Sequence, residues 1–287
     1  MKRILKEVFN FLKESLNFFH FILEVVYNGN FNSKLKKSTV KTAVVLANGP
    51  SLKKELPKLT HADEFKNVDF IVLNYFANEA IFFQIKPKHY CFADPMFFQD
   101  THRRKEVRDL FDLLQKKIDW NINVYIPSNR YRDFIKYSCF TNSQIKIIKI
   151  NITEYRGYER FRNFFYKKGL SIPFIGSVAN LAIFVALNKD FKEINIYGVD
   201  HTFFDSLFVN KKQQLCIKQS HFYSDKEIKA IPILRIDNGK NIKMSDYLFS
   251  VFKMFESHGY LYQYSKYLNV QITNYTKNSL IDSYDRI

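Results

Sequence analysis

Four apolar runs in this 287-residue chain end in polar residues able to do chemistry. The first, Thr42-Ala43-Val44-Val45-Leu46, leads into Ala47-Asn48-Gly49-Pro50-Ser51-Leu52. That order suits a strand feeding a tight turn and then a helix: glycine lets a ligand approach the backbone, and proline fits the first turn of a helix. The unpaired N–H groups of such a helix start attract a phosphate or another anion. The turn has neither the three spaced glycines of a dinucleotide fingerprint nor the Gly-Lys-Ser/Thr ending of a P-loop. It points to a nucleotide or a nucleotide-activated substrate without naming one; the alternative is an ordinary strand-to-helix turn.

The other three runs end in Asn74, Asp94 and Asp200. Asn74 closes Ile71-Val72-Leu73 and offers an amide to a base or a ribose hydroxyl, or else caps a helix. Asp94, in Phe92-Ala93-Asp94-Pro95, can accept from ribose hydroxyls or cap the next helix. In Tyr197-Gly198-Val199-Asp200-His201, Gly198 permits close backbone approach. There, one of Asp200 and His201 can orient the other, or Asp200 serves the turn alone. Further along, His221 titrates near neutrality and can take a proton from an incoming hydroxyl, although a lone loop histidine is more often simply exposed. No paired carboxylates stand at a spacing that suggests a glycosidase, and a Gly-x-Ser-x-Gly elbow, a His-Glu-x-x-His helix and an Asp-x-Asp element are missing. If the chain is a transferase, the expectation is one that works without a metal.

These residues need a frame. Strands are expected at Thr42–Ala47, Asp69–Asn74, Lys88–Ala93, Asn123–Pro127, Ile145–Ile150 and Glu193–Tyr197, with helices between them, clearest at Thr101–Lys117 and Ser177–Leu187. Such alternation argues for an α/β fold, Rossmann-like, with a mostly parallel sheet and helices on both faces. Ligands in these sheets bind beyond the carboxyl ends of the strands, where the polar residues above fall. Residues 201–241 lack periodicity and read as an irregular lid. Helical character returns at Ser245–Tyr267, and a short strand is expected at Val270–Thr273.

Residues 1–41 stand apart from the catalytic unit expected over 42–287. Ile4, Leu5, Val8, Phe9, Leu12, Leu16, Phe19, Ile22, Leu23 and Val26 recur at helical spacing, with Lys2, Arg3, Lys6 and Lys13 around them. The uncharged run Ser15–Leu23 is too short to span a bilayer. This amphipathic helix therefore packs on the core, packs on a second subunit, or lies in a membrane interface. Residues 27–41 read as a linker. Glu7 and Glu14 interrupt the apolar stretch and no small-residue cleavage site follows, so it is not read as a signal peptide.

Composition narrows the classes. Hydrophobic residues make up 46% of the chain, enough for a real core, and 30 Phe with 18 Tyr make an aromatic stripe weak evidence for a ligand. The net charge of +16 favours anionic partners, yet it is spread along the chain, which gives no support to nucleic-acid recognition. Three distant cysteines, Cys91, Cys139 and Cys216, suggest neither a disulfide framework nor a zinc site and fit a reducing, cytoplasmic compartment.

Taken in order, the motifs resemble those of the bacterial sialyltransferases of glycosyltransferase family 42. They also resemble the MAF-like domain of flagellin glycosyltransferases, whose wider group includes a pterin diphosphokinase. Ala-Asn-Gly-Pro-Ser-Leu, Ile71–Asn74, Phe92–Pro95, Gly176-Ser177-Val178, Phe191–Asp200 and Asn274–Ile281 carry the likeness, over roughly residues 42–282.

The resemblance implies a modified Rossmann fold with a lid over a CMP-sugar, the donor substrate, and no separate cofactor. It puts Ala47, Asn48, Gly49 and Ser51 at the CMP phosphate and ribose, with Gly198 close by. It puts Asn74 near the cytidine and Asp94 where the sialyltransferases carry asparagine. Gly176 and Ser177 would meet the donor at a helix start, His221 would be the base, and Tyr223 would assist at the leaving phosphate. Asp200 and His201 complete the expected catalytic set. Two departures bear on the sugar: Leu170–Ile175 lacks the arginine that holds the donor carboxylate, leaving Arg156, Arg160 and Arg162 as substitutes, and His201 replaces an aromatic. The implied activity is inverting transfer of sialic acid or a related acidic sugar to a bacterial surface glycan of capsule or lipooligosaccharide. It would take place at the inner face of the cytoplasmic membrane, with a homo-oligomer compatible. A diphosphokinase using ATP, or a non-catalytic module binding glycan or membrane, are the rivals.

Overall fold

The computed structural model describes residues 1–28, 31, 34–61, 65–101, 103–218, 230–235 and 239–287. Its centre is an eight-stranded sheet whose pairings are all parallel. The strands are β1 (Thr42–Leu46), β2 (Val68–Leu73), β3 (His89–Cys91), β4 (Ile122–Pro127), β5 (Ile145–Ile150), β6 (Glu193–Tyr197), β10 (Gln271–Asn274) and β11 (Asp285–Arg286), in the spatial order β11-β10-β6-β1-β2-β3-β4-β5. The first six and β10 fall where the apolar runs predict them. Ala43, Val44, Val45 and Leu46 are wholly buried, as a strand covered on both faces requires.

Chain order reverses at β1: the sheet grows outward through β2 to β5, then returns to β6 on the other side. That reversal puts the switch point of the sheet at the exits of β1 and β6, the place where open α/β sheets bind ligands.

Helices cover both faces. One core joins the sheet to α2 (Leu52–His61), α3 (Ile81–Ile85), α4 (Arg104–Lys117) and α5 (Tyr131–Ser138). The other joins it to α6 (Glu159–Lys167), α7 (Val178–Asn188) and the long α8 (Met244–Leu268). From Ala179 to Leu187 every residue of α7 is buried, because the helix is sandwiched between the sheet and α8. The amphipathic stretch at the start of the chain forms α1 (Lys2–Asn28).

Two segments carry more order than the sequence led us to expect. Residues 34–41, read as linker, are tied to the amino edge of the sheet. Ser38 donates to the buried Asp69 carboxylate (3.0 Å), Lys189 Nζ donates to the Lys36 carbonyl (2.8 Å), and Lys88 Nζ lies 2.6 Å from Asp69. Within 201–241 stand three short antiparallel strands, β7 (Leu207–Val209), β8 (Leu215–Lys218) and β9 (Ala230–Pro232). Three- and four-residue strands are too brief for alternation to register. Their first turn is fixed by the Asn210 side chain, which accepts from the Lys212 and Gln214 N–H groups. The small sheet packs Leu207 and Leu215 against Tyr247, Val251 and Met254 at the start of α8.

Candidate functional site

The exits of β1 and β6 continue their pairing past the strands: Ala47 N–H donates to Tyr197 O at 2.9 Å, and Gly49 N–H to Gly198 O at 2.8 Å. Beyond them the Asp200 carboxylate lies over the start of α2. It accepts from Ser51 N–H (3.2 Å) and from the Ser51 hydroxyl (2.8 Å). A Cβ at residue 49 would stand 1.8 Å from Asp200 Oδ2, so glycine is required there.

This corrects the expected geometry. The space that Gly49 leaves, and the N–H of Ser51, are taken by a carboxylate of the protein itself rather than being open to a phosphate. The helix start does attract an anion, and the chain supplies it from the neighbouring strand. Burial raises the Asp200 pKa above the usual carboxylate value, with the Ser51 hydrogen bonds opposing that rise.

A second cluster joins the exits of β1, β2 and β3. Asn48 Nδ2 donates to Leu73 O (3.1 Å), and Asn74 Nδ2 donates to Asp94 Oδ2 (2.5 Å). Asn74 adopts a left-handed conformation (φ 46°), which asparagine tolerates better than most residues. Neither Asn74 nor Asp94 caps its neighbouring short helix with its side chain. Because both amide nitrogens face acceptors, the orientation of each amide is fixed. Asn48 Oδ1 and Asn74 Oδ1 are then left buried, with no hydrogen-bond partner among the described residues. Burial lifts the Asp94 pKa to about 6, against the pull of the Arg103 guanidinium, which sits 4.6 Å from the Tyr75 ring centre.

The exit of β6 is also held from behind. Thr276 Oγ1 accepts from Val199 N–H, the Ser279 hydroxyl donates to Val199 O, and Leu280 N–H donates to Asp200 O. The tail motif Asn274–Ile281 thus clamps Val199 and Asp200. His201, left-handed at φ 54°, turns its ring towards α8. It stacks on Phe203, meets Phe255 edge-on, and lies Nε2 to Nε2 3.1 Å from His258, whose Nδ1 is 2.9 Å from the Tyr284 hydroxyl. Burial lowers the His201 pKa to about 3 and that of His258 well below its ordinary value. Sequence reasoning missed His258 and Tyr284. Each is a single polar residue inside an otherwise ordinary segment, and only the tertiary fold joins them to His201.

Ser177 begins α7 in a reciprocal capping box: its hydroxyl accepts from Asn180 N–H (3.4 Å), and its own N–H donates to Asn180 Oδ1 (2.9 Å). Gly176 is required for packing, since a Cβ there would come within 2.5 Å of Met254 Cβ on α8. Because α7 leads back to the amino end of β6, its start lies at the carboxyl edge of the sheet, as does Asn274 at the end of β10. Asn180 Nδ2 and Asn274 Nδ2 are buried donors without a partner among the described residues.

The three arginines considered for a donor carboxylate are engaged elsewhere. Arg162 reaches Glu159, Gln263 and the Tyr260 ring, Arg160 lies over Tyr158 and Phe161, and Arg156 faces His20 and Glu24 of α1. A cleft of about 370 Å³ opens between Glu24 and Asn28 of α1 and Ser128, Asn129 and Thr153, which follow β4 and β5 on the same edge. His221 and Tyr223 lie outside the described residues. Among the described residues, no group of three or more His, Cys, Asp or Glu is placed to hold a metal ion.

Compared with known families, residues 17–206 match the model described as 6-hydroxymethylpterin diphosphokinase MptE-like, well over half of the chain. That family sits in the MAF-like superfamily to which the sequence motifs point. No curated protein matches the chain.

Proposed function

The chain belongs to the MptE-like family, and from that premise we propose that it is a transferase whose nucleotide donor lies across the exits of β1, β2 and β3. One observation carries this: the two buried, unpartnered amide oxygens of Asn48 and Asn74, beside the carboxyl of Asp94. A buried acceptor without a donor costs on the order of 1–3 kcal/mol, which a ligand bearing O–H or N–H groups restores. Ribose hydroxyls and the amino group of a base are such groups; phosphate oxygens are not. On this reading the nucleoside sits at Asn48, Asn74 and Asp94. The phosphate extends toward Asn180 Nδ2 and Asn274 Nδ2, the donors left open at the same edge.

The finer reading is glycosyl transfer from a CMP-linked acidic sugar, inverting and without a metal. The acceptor oxygen bonds to the anomeric carbon as its proton passes to a histidine, and the bond to the CMP phosphate breaks, the electron pair leaving with CMP. His221 is the proposed base and Tyr223 the proposed partner of the leaving phosphate. His201 takes a positioning part instead, because a buried imidazole with so low a pKa is a poor proton acceptor at neutral pH. Asp200, held by Ser51, fixes the turn that carries Asn48. An acceptor carried on lipid would put the enzyme at the cytoplasmic face of the membrane.

The family description favours a second reading, diphosphoryl transfer from ATP to a hydroxymethyl group. Thermal-shift titration separates the two. CMP and CMP-sialic acid, CMP-Kdo or CMP-pseudaminic acid stabilise a glycosyltransferase, whereas ATP with magnesium and a hydroxymethylpterin stabilise a diphosphokinase. If neither CMP nor ATP shifts the melting temperature, the nucleotide reading fails altogether.

A further inference from the structure

We propose that α1 is an interfacial membrane helix that seats this protein on an anionic bilayer through the apolar face it turns away from the body. The inference rests on the surface of α1 and not on the choice of donor.

The helix is 27 residues long, about 40 Å at 1.5 Å per residue. It is docked along one stripe from Phe11 onward, where the Phe11 ring centre lies 6.0 Å from that of Tyr158. Phe21 meets Phe165 and Tyr155 with ring centres 4.9 Å apart, Phe18 meets Phe161, Ser15 Oγ lies 2.6 Å from Tyr158 OH, and Asn28 donates to Thr153. Those contacts fix the rotation of the helix about its axis. A second apolar face, on Leu5, Val8, Leu12, Leu16, Phe19 and Leu23, is thereby held outward, each residue 50–69% exposed. Phe21 and Val25 are the residues of the helix that the body buries, and the second face covers nothing among the described residues.

Its width decides the occupant. At about 100° per residue, Ile4 and Phe9 broaden the exposed face to about 140° of arc. A two-stranded helical seam uses the narrower stripe of alternating three- and four-residue steps, whereas a helix lying in a lipid interface presents a broad apolar face. Phe161 of α6, 36% exposed and in ring contact with Phe18, adds apolar surface beside the helix. Lys2, Lys6 and Lys13 follow one another along the polar margin next to Phe9, where long cationic side chains reach lipid headgroups while their stems cover apolar surface. The charge of the whole chain, +16, adds attraction to an anionic leaflet. No helix among the described residues is long and apolar enough to cross a membrane, so the mode is one of lying on the surface.

The test is co-sedimentation of the full chain with vesicles of phosphatidylglycerol and phosphatidylethanolamine, alongside pure phosphatidylcholine. The partner is the doubly substituted chain Leu16→Glu, Phe19→Glu. Both positions are exposed, so circular dichroism and the melting temperature should match those of the parent. The expected result is pelleting with the anionic vesicles, weaker with phosphatidylcholine, and reduced roughly tenfold or more by the two glutamates. Failure of the parent chain to pellet with anionic vesicles, or equal pelleting of the variant, overturns the proposal. So does a dimer, seen by sedimentation equilibrium and dissolved by the same substitutions, in a chain that ignores lipid. None of these outcomes depends on whether CMP or ATP binds.

Discussion

Nε2 of His201 stands 3.1 Å from Nε2 of His258, and the pair is closed by Tyr284, whose hydroxyl is 2.9 Å from the far nitrogen of His258. Two imidazoles can share that contact only if one of the two facing nitrogens carries a proton and the other does not. Burial, which lowers both pKa values, keeps both rings neutral at neutral pH, in complementary tautomers. The chain of three ties the exit of β6 to α8 and to the last strand.

Acid should therefore destabilise the protein through this pair, as it does through the buried His89 and its partner Asp69. The folded-state pKa of each histidine is below the ordinary value, to about 3 for His201. Both rings are neutral in folded and unfolded chains above pH ~6.5, so their contribution is intact there. As pH falls from ~6.5 toward 3 the unfolded chain takes up protons that the folded one refuses, and stability is lost at up to about 1.4 kcal/mol per pH unit for each ring. We expect the melting temperature to fall steadily between pH 6.5 and 4. In His258→Phe the acid slope should shrink, while stability at pH 7.5 drops by roughly 1–3 kcal/mol, because His201 and Tyr284 each lose a buried partner. Denaturant melts at the two pH values measure both effects.

Asp94 works in the opposite sense. Its pKa is raised to about 6, so the folded chain favours the protonated form between ~4 and 6, and ionisation on going to neutral pH carries a cost. Asp94→Asn should leave stability at pH 7.5 unchanged or slightly raised. The ionised carboxylate is the better acceptor for ribose hydroxyls, so nucleotide affinity in the parent should weaken as pH falls through 6. Calorimetric titration across pH 5–8 should find that dependence lost in the Asn variant.

The sheet was legible because its central strands are buried on both faces and therefore carry continuous apolar runs, Ala43–Leu46 and Phe70–Leu73 among them. The polar residues that end them were legible for the same reason: each breaks a run. What Gly49 makes room for was not. A glycine at a strand exit signals close approach, and sequence has no means of telling a ligand from Asp200, 151 positions later. The partners of His201 were hidden likewise. His258 lies within a 25-residue helix, and Tyr284 in a tail whose packing depends on where β10 and β11 lie.

The seat of Asp200 gives a double-substitution test. Asp200→Ala removes the acceptor from Ser51 at the start of α2 and should cost about 1 kcal/mol, the usual worth of a helix cap. Gly49→Ala should cost more, roughly 3 kcal/mol or beyond, because its Cβ would sit 1.8 Å from Asp200 Oδ2 and 2.4 Å from Gly198 O. In the double variant the first clash is gone and the second remains. The combined loss should fall short of the sum by 1 kcal/mol or more, a coupling that urea melts of the four chains can read. Strict additivity would show that Asp200 does not occupy that space.

Asn74 allows the backbone and the amide to be separated. At φ 46° most side chains are strained, whereas glycine is not. Asn74→Gly should therefore keep the turn and lose only the hydrogen bond to Asp94 and the unpartnered oxygen. Asn74→Ala should lose the same groups and add about 1 kcal/mol of backbone strain. If the amide oxygen receives a donor group of the nucleotide, both variants should bind it roughly tenfold more weakly, the Kd rising alike although their melting temperatures differ. If affinity instead follows stability, with the glycine variant binding as the parent does, then Asn74 shapes the turn and the nucleoside lies elsewhere along the edge.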